Sequence, residues 1–600
     1  MLPFFYAAHT ILFAITLFVE AGGDFVITFF DARRFPGVVF SRGSRHSTHF
    51  GIIRLILLLG ATALTLLAPM AGPCAASEPA APVPAEAGPG DTTFEIKAFD
   101  VKGNTIFPSG QVLIVVARFI GKGRIASDVE KARDALEKLY HDAGYPAVVV
   151  NIPEQTLKDG IVKLEVIETR IGKVTITGNR YFTMEKIMND LPALAPGQIL
   201  YLPKLQEELG RLNRNPDFKA DPSISPGEEF GTIDATLKVE DHLPLHGYLE
   251  VNNRNSHNTT ELRLNGLIRY DNLWQMEHSV SFQYQTSPQN LNEVEVLGLS
   301  YVLPPPWNKD HQLVIYGIWS DSQTNTVSSG EGFSVIGKGQ IFGIRYVVPL
   351  PQYKLYSHNV TLGIDYKHFD QTMGFTLPGQ PATYTPLHYT PLSFSYNASL
   401  PDEWGGVSQF SLGVNMNPRQ VNSSETEFEN KRYMAQADYI YATAGLQRTQ
   451  KLPLGMSLFL KVDGQIANEP LVQNEQYSAG GMLSVRGYLE SEALGDDAIH
   501  STAEVSFPDP LNGYGIGKTV QTTPFVFYDM ARLTTKEPLP PSPGIVELQG
   551  AGAGIRGSVT KYTEYEVDWA VALQPSSNAT NTNGINRNDE RVYFKVKYVF

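Results

Sequence analysis

Cysteine is all but missing from this chain of 600 residues, Cys74 being the only one. It lies in an apolar, export-like segment, so the mature protein is expected to carry no thiol, disulfide or thiolate metal site. Basic clusters are missing too: the formal net charge is −14 and no Lys/Arg run overrides it, which sets nucleic acid aside as a partner. No G-x-S-x-G, H-E-x-x-H or P-loop is found, so no nucleophile elbow, zinc site or nucleotide site is expected. Residues 552–557 spell G-x-G-x-x-G, but they follow no βαβ pattern and open no helix, so glycine relief in a packed sheet explains them better. The thirteen histidines are dispersed, and neither cofactor nor metal is expected.

What the chain does contain falls into parts. The apolar residues 55–67 are too few for a spanning helix, which needs about twenty. With Arg54 before them and Cys74-Ala75-Ala76 after, they read as a secretory signal cut after Ala76. Residues 1–19 are also apolar, which fits either an initiation site placed too far upstream or an extended, anchored terminus. Residues 1–76 are therefore a signal or targeting region. Residues 77–92 form a Pro/Ala-rich linker, with Pro79, Pro82, Pro84 and Pro89 opposing helix.

Next comes an internal repeat. Val101-Lys102-Gly103-Asn104-Thr105-Ile106-Phe107 returns as Ile176-Thr177-Gly178-Asn179-Arg180-Tyr181-Phe182, seventy-five residues later. Each copy, 93–169 and 170–242, reads as a strand, a Gly-Asn turn (Gly103-Asn104, Gly178-Asn179), two helices and closing strands. Ser109 and Thr183 stand where helix N-caps belong, and Ser127-Asp128-Val129-Glu130 reads as a capping box. Two helices on a small sheet leave exposed edges, which accept an extended client chain by strand addition.

From residue 243 to 600 the texture is short alternating segments such as 280–285 and 458–463, separated by turn residues at 271–272, 287–290 and 308–310. All five tryptophans lie here, as expected of aromatic girdles at two membrane interfaces. The final strand puts Val592, Phe594, Val596, Tyr598 and Phe600 on one lipid-facing side. At roughly 22 residues per spanning strand with its turn and loop, this part divides into about sixteen strands. The fold class expected is thus two periplasmic α+β domains followed by a transmembrane antiparallel β-barrel large enough to hold a channel.

These residues carry a resemblance. The paired modules resemble POTRA domains, and the barrel resembles the two-partner secretion transporters of the ShlB/FhaC/HecB group. Residues 480–488, GGMLSVRGY, resemble that family's signature loop through Val485-Arg486-Gly487-Tyr488, and Phe527-Tyr528-Asp529 resembles its F-x-D strand motif. Softer matches are 251–253, 552–556 and 568–571. The resemblance implies a loop that reaches into the barrel, with Arg486 paired to Asp529; a lone buried guanidinium would be costly, and a lumen-facing carboxylate offers it a bidentate partner. It further implies a secreted TpsA-type passenger, outer-membrane lipid around the barrel, and a barrel assembly machinery that reads the C-terminal signal Phe594, Tyr598 and Phe600. Family members often carry an N-terminal plug helix; here only the proline-rich residues 77–92 precede the first module, which implies a pore closed mainly by the signature loop, or a different mature terminus. An assembly factor of the BamA kind and a passive porin are the competing readings.

Overall fold

The structure is a computed structural model that describes residues 93–600 other than 158, 258, 323–326, 329–333, 336–337, 374–382, 420, 513–516, 518, 541–542 and 577–583. The expected signal, the linker, Cys74 and the question of a plug helix lie outside the described residues.

The first module runs through strands Phe94–Ile96 and Ala98–Lys102, helix Ser109–Ala117, strand Gly121–Arg124, helix Ala126–Asp142, and strands Val149–Asn151 and Ile161–Ile167. Ile161–Ile167 is central, parallel to Ala98–Lys102 and antiparallel to Val149–Asn151. Its alternation sends Val162, Leu164 and Val166 inward, where Ala132, Leu136 and Tyr140 of the long helix meet them. The second module repeats the plan: strand Arg170–Thr177, helices Met184–Asp190 and Leu202–Leu212, and strands Phe218–Pro226 and Thr232–Asp241, the last of them central. The edge strand Phe218–Pro226 carries Pro222 and is mostly exposed, which hides it from period-2 reading.

The repeated Gly-Asn turns are built alike. Gly103 and Gly178 sit at φ +86° and +92°, and a Cβ at either would overlap a carbonyl of the module's closing strand, that of Val166 or Val239. Asn104 and Asn179 each donate from the side chain to the carbonyl three residues on, at 3.1 and 2.9 Å. One carboxylate then gathers the next amides: Glu168 accepts from Thr105 and Ile106, and Asp241 from Arg180, Tyr181 and Phe182. Of the expected caps, Thr183 caps its helix by accepting from Lys186 N. Ser109 does not: it is the first helical residue, behind Pro108. The capping box is also displaced, because the helix starts at Ala126 and Asp128 reaches back to the Ile125 amide.

From Leu245 the chain forms a closed antiparallel barrel of 16 strands. The first, Leu245–Asn252, pairs with the last, Glu590–Val599, closing the wall without an edge. One wall strand is broken: Thr383–Tyr389 and Leu392–Pro401 both pair with Ser357–Met373, and Pro391 between them has no N–H for the ladder. Ile268, Phe282 and Leu299 stand side by side on the outer face of neighbouring strands, while Ser281 and Gln285 face inward. Trp274, Trp307 and Trp404 lie exposed in turns at the module end, and Trp319 and Trp569 sit on strands toward the opposite end. Asp271-Asn272, expected as a turn, belongs to strand Arg263–Leu273; Asn272 at φ +75° begins an irregularity there, and the chain reverses just beyond.

The second module is tied to the barrel's near rim. Lys186 pairs with Glu277 at 2.7 Å, Lys309 with Asp190 at 3.0 Å and His246 with Asp217 at 2.8 Å, while the Gln275 amide bonds the backbone of Tyr181 and Thr183.

Candidate functional site

Between wall strands Ser457–Ala467 and Asp497–Ser506 the chain turns back into the lumen. Two short strands, Tyr477–Ala479 and Ala493–Gly495, pair as a stalk that carries residues 480–492 as its tip. Val485 and Tyr488 at the tip are fully buried among Ala531, Leu533, Leu548 and Ala572 of the wall, an apolar socket that fixes the loop's depth.

Arg486 is the charged centre of that tip. Its Nε donates to Asp529 Oδ2 at 2.7 Å and its Nη2 to Oδ1 at 3.0 Å, and its backbone amide adds a third bond to the same carboxylate. The guanidinium lies over the Phe527 ring, 3.3 Å from its centroid, and its Nη1 reaches Glu504 at 3.1 Å. Asp529 is wholly buried on strand Val520–Thr534, with Phe527 two residues before it, so the F-x-D spacing puts a ring and a carboxylate on one lumenal face. Gly487 N donates to Tyr593 Oη at 2.9 Å, and Tyr488 Oη donates to the Gln574 carbonyl at 2.6 Å.

All four signature-loop positions and both F-x-D positions therefore meet in one place. The remaining candidates lie elsewhere: Gly103, Asn104, Gly178 and Asn179 in the module turns, Phe594 and Tyr598 on the last strand, and Phe600 just after it. Tyr598 and Phe600 are exposed on the outer face, and Phe600 exchanges backbone hydrogen bonds with Gly247 at the closing seam.

Several partners escaped the sequence. Glu504 and Asp568 join the Arg486 cluster from two further strands; their lumenal parity was readable, but nothing separates them from other lumenal charges. Arg254 holds Glu490 at 3.0 Å and His257 holds Glu492 at 2.7 Å, tying the tip to the loop after the first wall strand. At the stalk's base, Arg432 pairs with the buried Asp496, and Asp496 also accepts from Leu471 N and Lys536 N. Arg432 belongs to residues 417–439, whose helix Glu425–Lys431 sinks Phe428 among lumen-facing Val296, Ile318, Phe369 and Tyr389. Two inward-folded segments thus fill the outer half of the lumen. Nearer the modules a cavity of about 1130 Å³ remains, whose mixed lining includes the polar Asn359, Asn397, Gln409 and Gln447 and the apolar Val347 and Phe410.

Comparisons with known proteins agree with this architecture. The sequence model for the haemolysin secretion/activation protein ShlB/FhaC/HecB matches residues 231–557, and that for the ShlB-type POTRA domain matches residues 94–169. The outer membrane transporter CdiB of Dickeya dadantii is 22% identical over 428 residues, 69% of this chain and 72% of that protein. The heme/hemopexin transporter protein HuxB of Haemophilus influenzae is 19% identical over 511 residues, 82% of this chain and 85% of that one. In fold, CdiB from Escherichia coli superimposes with a TM-score of 0.56 at 18% identity, covering 94% of this chain and all of that one. With signature loop, barrel and paired modules in place and a family match over more than half its length, this chain belongs to the ShlB/FhaC/HecB haemolysin secretion/activation family, as an outer-membrane two-partner secretion transporter with its POTRA domains in the periplasm.

Proposed function

We propose that this chain exports one large, unfolded TpsA-type passenger, haemolysin-like or adhesin-like, which the POTRA modules capture and the barrel threads outward. The observation that carries this reading is the way the lumen is filled: the signature loop is folded into it and centred on the Arg486–Asp529 ion pair, and a cavity of about 1130 Å³ remains toward the modules. A packed core has no such cavity, and a passive pore has no use for a loop folded into its lumen. The cavity's amides and hydroxyls suit an extended polypeptide, whose backbone offers donors and acceptors along its whole length. Capture before entry falls to the module edges, with Phe218–Pro226 offering an unpaired backbone rim to an extended segment. No nucleotide motif is present in the sequence, so folding of the passenger outside the cell supplies the direction. Phe594 and Tyr598 on the closing strand, with Phe600 just after it, serve as the signal read by the barrel assembly machinery.

The test is a comparison of secreted and outer-membrane proteins with and without this chain, alongside Arg486→Ala. Loss of one large exported protein with other barrels unchanged is expected, and Arg486→Ala is expected to lose export while still forming a barrel. A general fall in barrel proteins would make the chain an assembly factor of the BamA kind. No change in either would leave a passive porin.

A further inference from the structure

Asp568 is the anomaly of the lumen. It is fully buried on strand Thr563–Ala572, yet neither of its carboxylate oxygens receives a hydrogen bond from any described residue. Its nearest cation is the Arg486 guanidinium, whose Nη1 stands 3.8 Å away while engaged with Asp529 and Glu504. A buried carboxylate without hydrogen bonds is costly to keep, so a wall with many alternatives at that position is not expected to retain one idly.

The wall between the two acids is shaped in a particular way. Gly550 lies across from Asp529, Gly552 across from Phe527 and Gly554 across from Phe525; on the next seam Gly554 lies across from Asp568. Gly550 makes room for the loop tip, and Gly552 and Gly554 make room for side chains and a carbonyl of the neighbouring wall strands. A Cβ at Gly550 would overlap the Arg486 carbonyl, one at Gly552 would overlap the Trp569 carbonyl and press on the Phe527 ring, and one at Gly554 would meet both the Asp568 carboxylate and the Phe525 ring. The three glycines thus let the loop tip, the two phenylalanine rings and the Asp568 carboxylate pack close against the wall between Asp529 and Asp568. Aromatic faces line it in the same order: Arg486 Cζ lies 3.3 Å from the Phe527 centroid and 5.8 Å from that of Phe525. At the far end Arg556 stacks on Phe525 at 4.0 Å and pairs with Glu504, the acid that also touches Arg486.

We infer that Asp568 is a second seat for the Arg486 guanidinium, and that the signature loop shifts between an Asp529-held and an Asp568-held position across the faces of Phe527 and Phe525. Drawing a buried charge away from a bidentate partner with nothing to replace it is the expensive way to release a loop. A second carboxylate 3.8 Å off keeps the guanidinium paired throughout, with an aromatic face beneath it along the way. Asp568 is in this sense a positioning residue, acting on the loop through Arg486. The meaning of the movement rests on the transporter reading, but its readout needs no passenger: loss of export with normal loop exchange would defeat that reading and leave this one standing.

The experiment uses the full chain, purified and reconstituted in lipid, with Cys74→Ser and spin labels at Leu483→Cys on the loop tip and Val559→Cys on the wall. Two label–label distances are expected in the otherwise unaltered chain. Asp568→Asn should retain only the Asp529-held distance and lower the frequency of channel opening about tenfold, a coupling ordinary for adjacent buried charges. Asp568→Glu should restore both distances, Asp529→Asn should shift the population to the second, and Asp529→Asn with Asp568→Asn should abolish both. Unchanged distances and opening in Asp568→Asn would overturn the inference. Failure of Asp568→Asn to form a heat-modifiable barrel would overturn it as well, since the acid would then be structural.

Discussion

The two periplasmic modules start from one plan and end in different states. Their turns are held alike, by a glycine pressed against a carbonyl and a carboxylate gathering backbone amides. Their first helices differ. In the second module Lys186 and Asp190 reach the barrel rim; seventy-five residues earlier the same helical positions carry Gln111 and Val115, and the neighbouring Leu113 and Ile114 stand exposed. A repeated cassette of backbone geometry has therefore been fitted with two surfaces. One module is welded to the barrel, while the other presents an apolar helix face to the periplasm.

If the turns are equivalent, breaking them should cost both modules equally. Gly103→Ala and Gly178→Ala each place a Cβ against a carbonyl at a φ that L residues avoid, and each should destabilise its own module by about 3 kcal/mol. Hydrogen exchange on the full chain would show protection lost in residues 93–169 for the first and 170–242 for the second. A turn that absorbed its alanine without loss would break the equivalence.

The acids should separate the modules where the glycines do not. Asp241 is buried and takes bonds from three successive amides at 2.7–3.0 Å, whereas Glu168 is only half-buried. Asp241→Asn should cost about 1.5–3 kcal/mol and Glu168→Gln about 1 kcal/mol or less, because hydrogen bonds to charge gain strength with burial. Exchange protection at residues 180–182 against 105–106 reads the difference; equal losses would mean that burial does not set it.

Much of this organisation was legible beforehand, for definite reasons. The modules announced themselves because Gly-Asn at a positive-φ turn has few substitutes, and the barrel because lipid on one side and water on the other impose a two-residue period. Arg486 and Asp529 were legible through the motifs around them. What stayed hidden was long-range: Glu504, Asp568, Arg432 and Asp496 are single charges on lumenal faces, and only the closed barrel shows which of them meet. The edge strand Phe218–Pro226 was hidden by its own exposure and its prolines. The caps at Ser109 and Ser127 misled because a serine near a helix start signals a cap, yet the helices begin at Ser109 itself and at Ala126, which puts each serine inside the first turn.

The smallest effect expected is at the joint. Asp190 is buried, which opposes its ionisation, but Lys186 and Lys309 outweigh the burial and hold its carboxyl below the usual carboxylate range. A carboxyl whose folded pKa is depressed contributes stability that is fully present above its unfolded value and is lost as pH falls through the folded one. The weld should therefore hold through neutral and mildly acidic conditions and loosen only in strong acid, below the ordinary carboxylate pKa of about 4. Lys309 is half exposed, so Lys309→Met should weaken the joint by about 1 kcal/mol or less. Energy transfer between labels on the second module and the barrel rim reads both effects. Loosening between pH 7 and 5 instead would show that the Asp190 ion pairs do not control the joint. The first module, with Val115 where the second has Asp190, should show no counterpart of either transition.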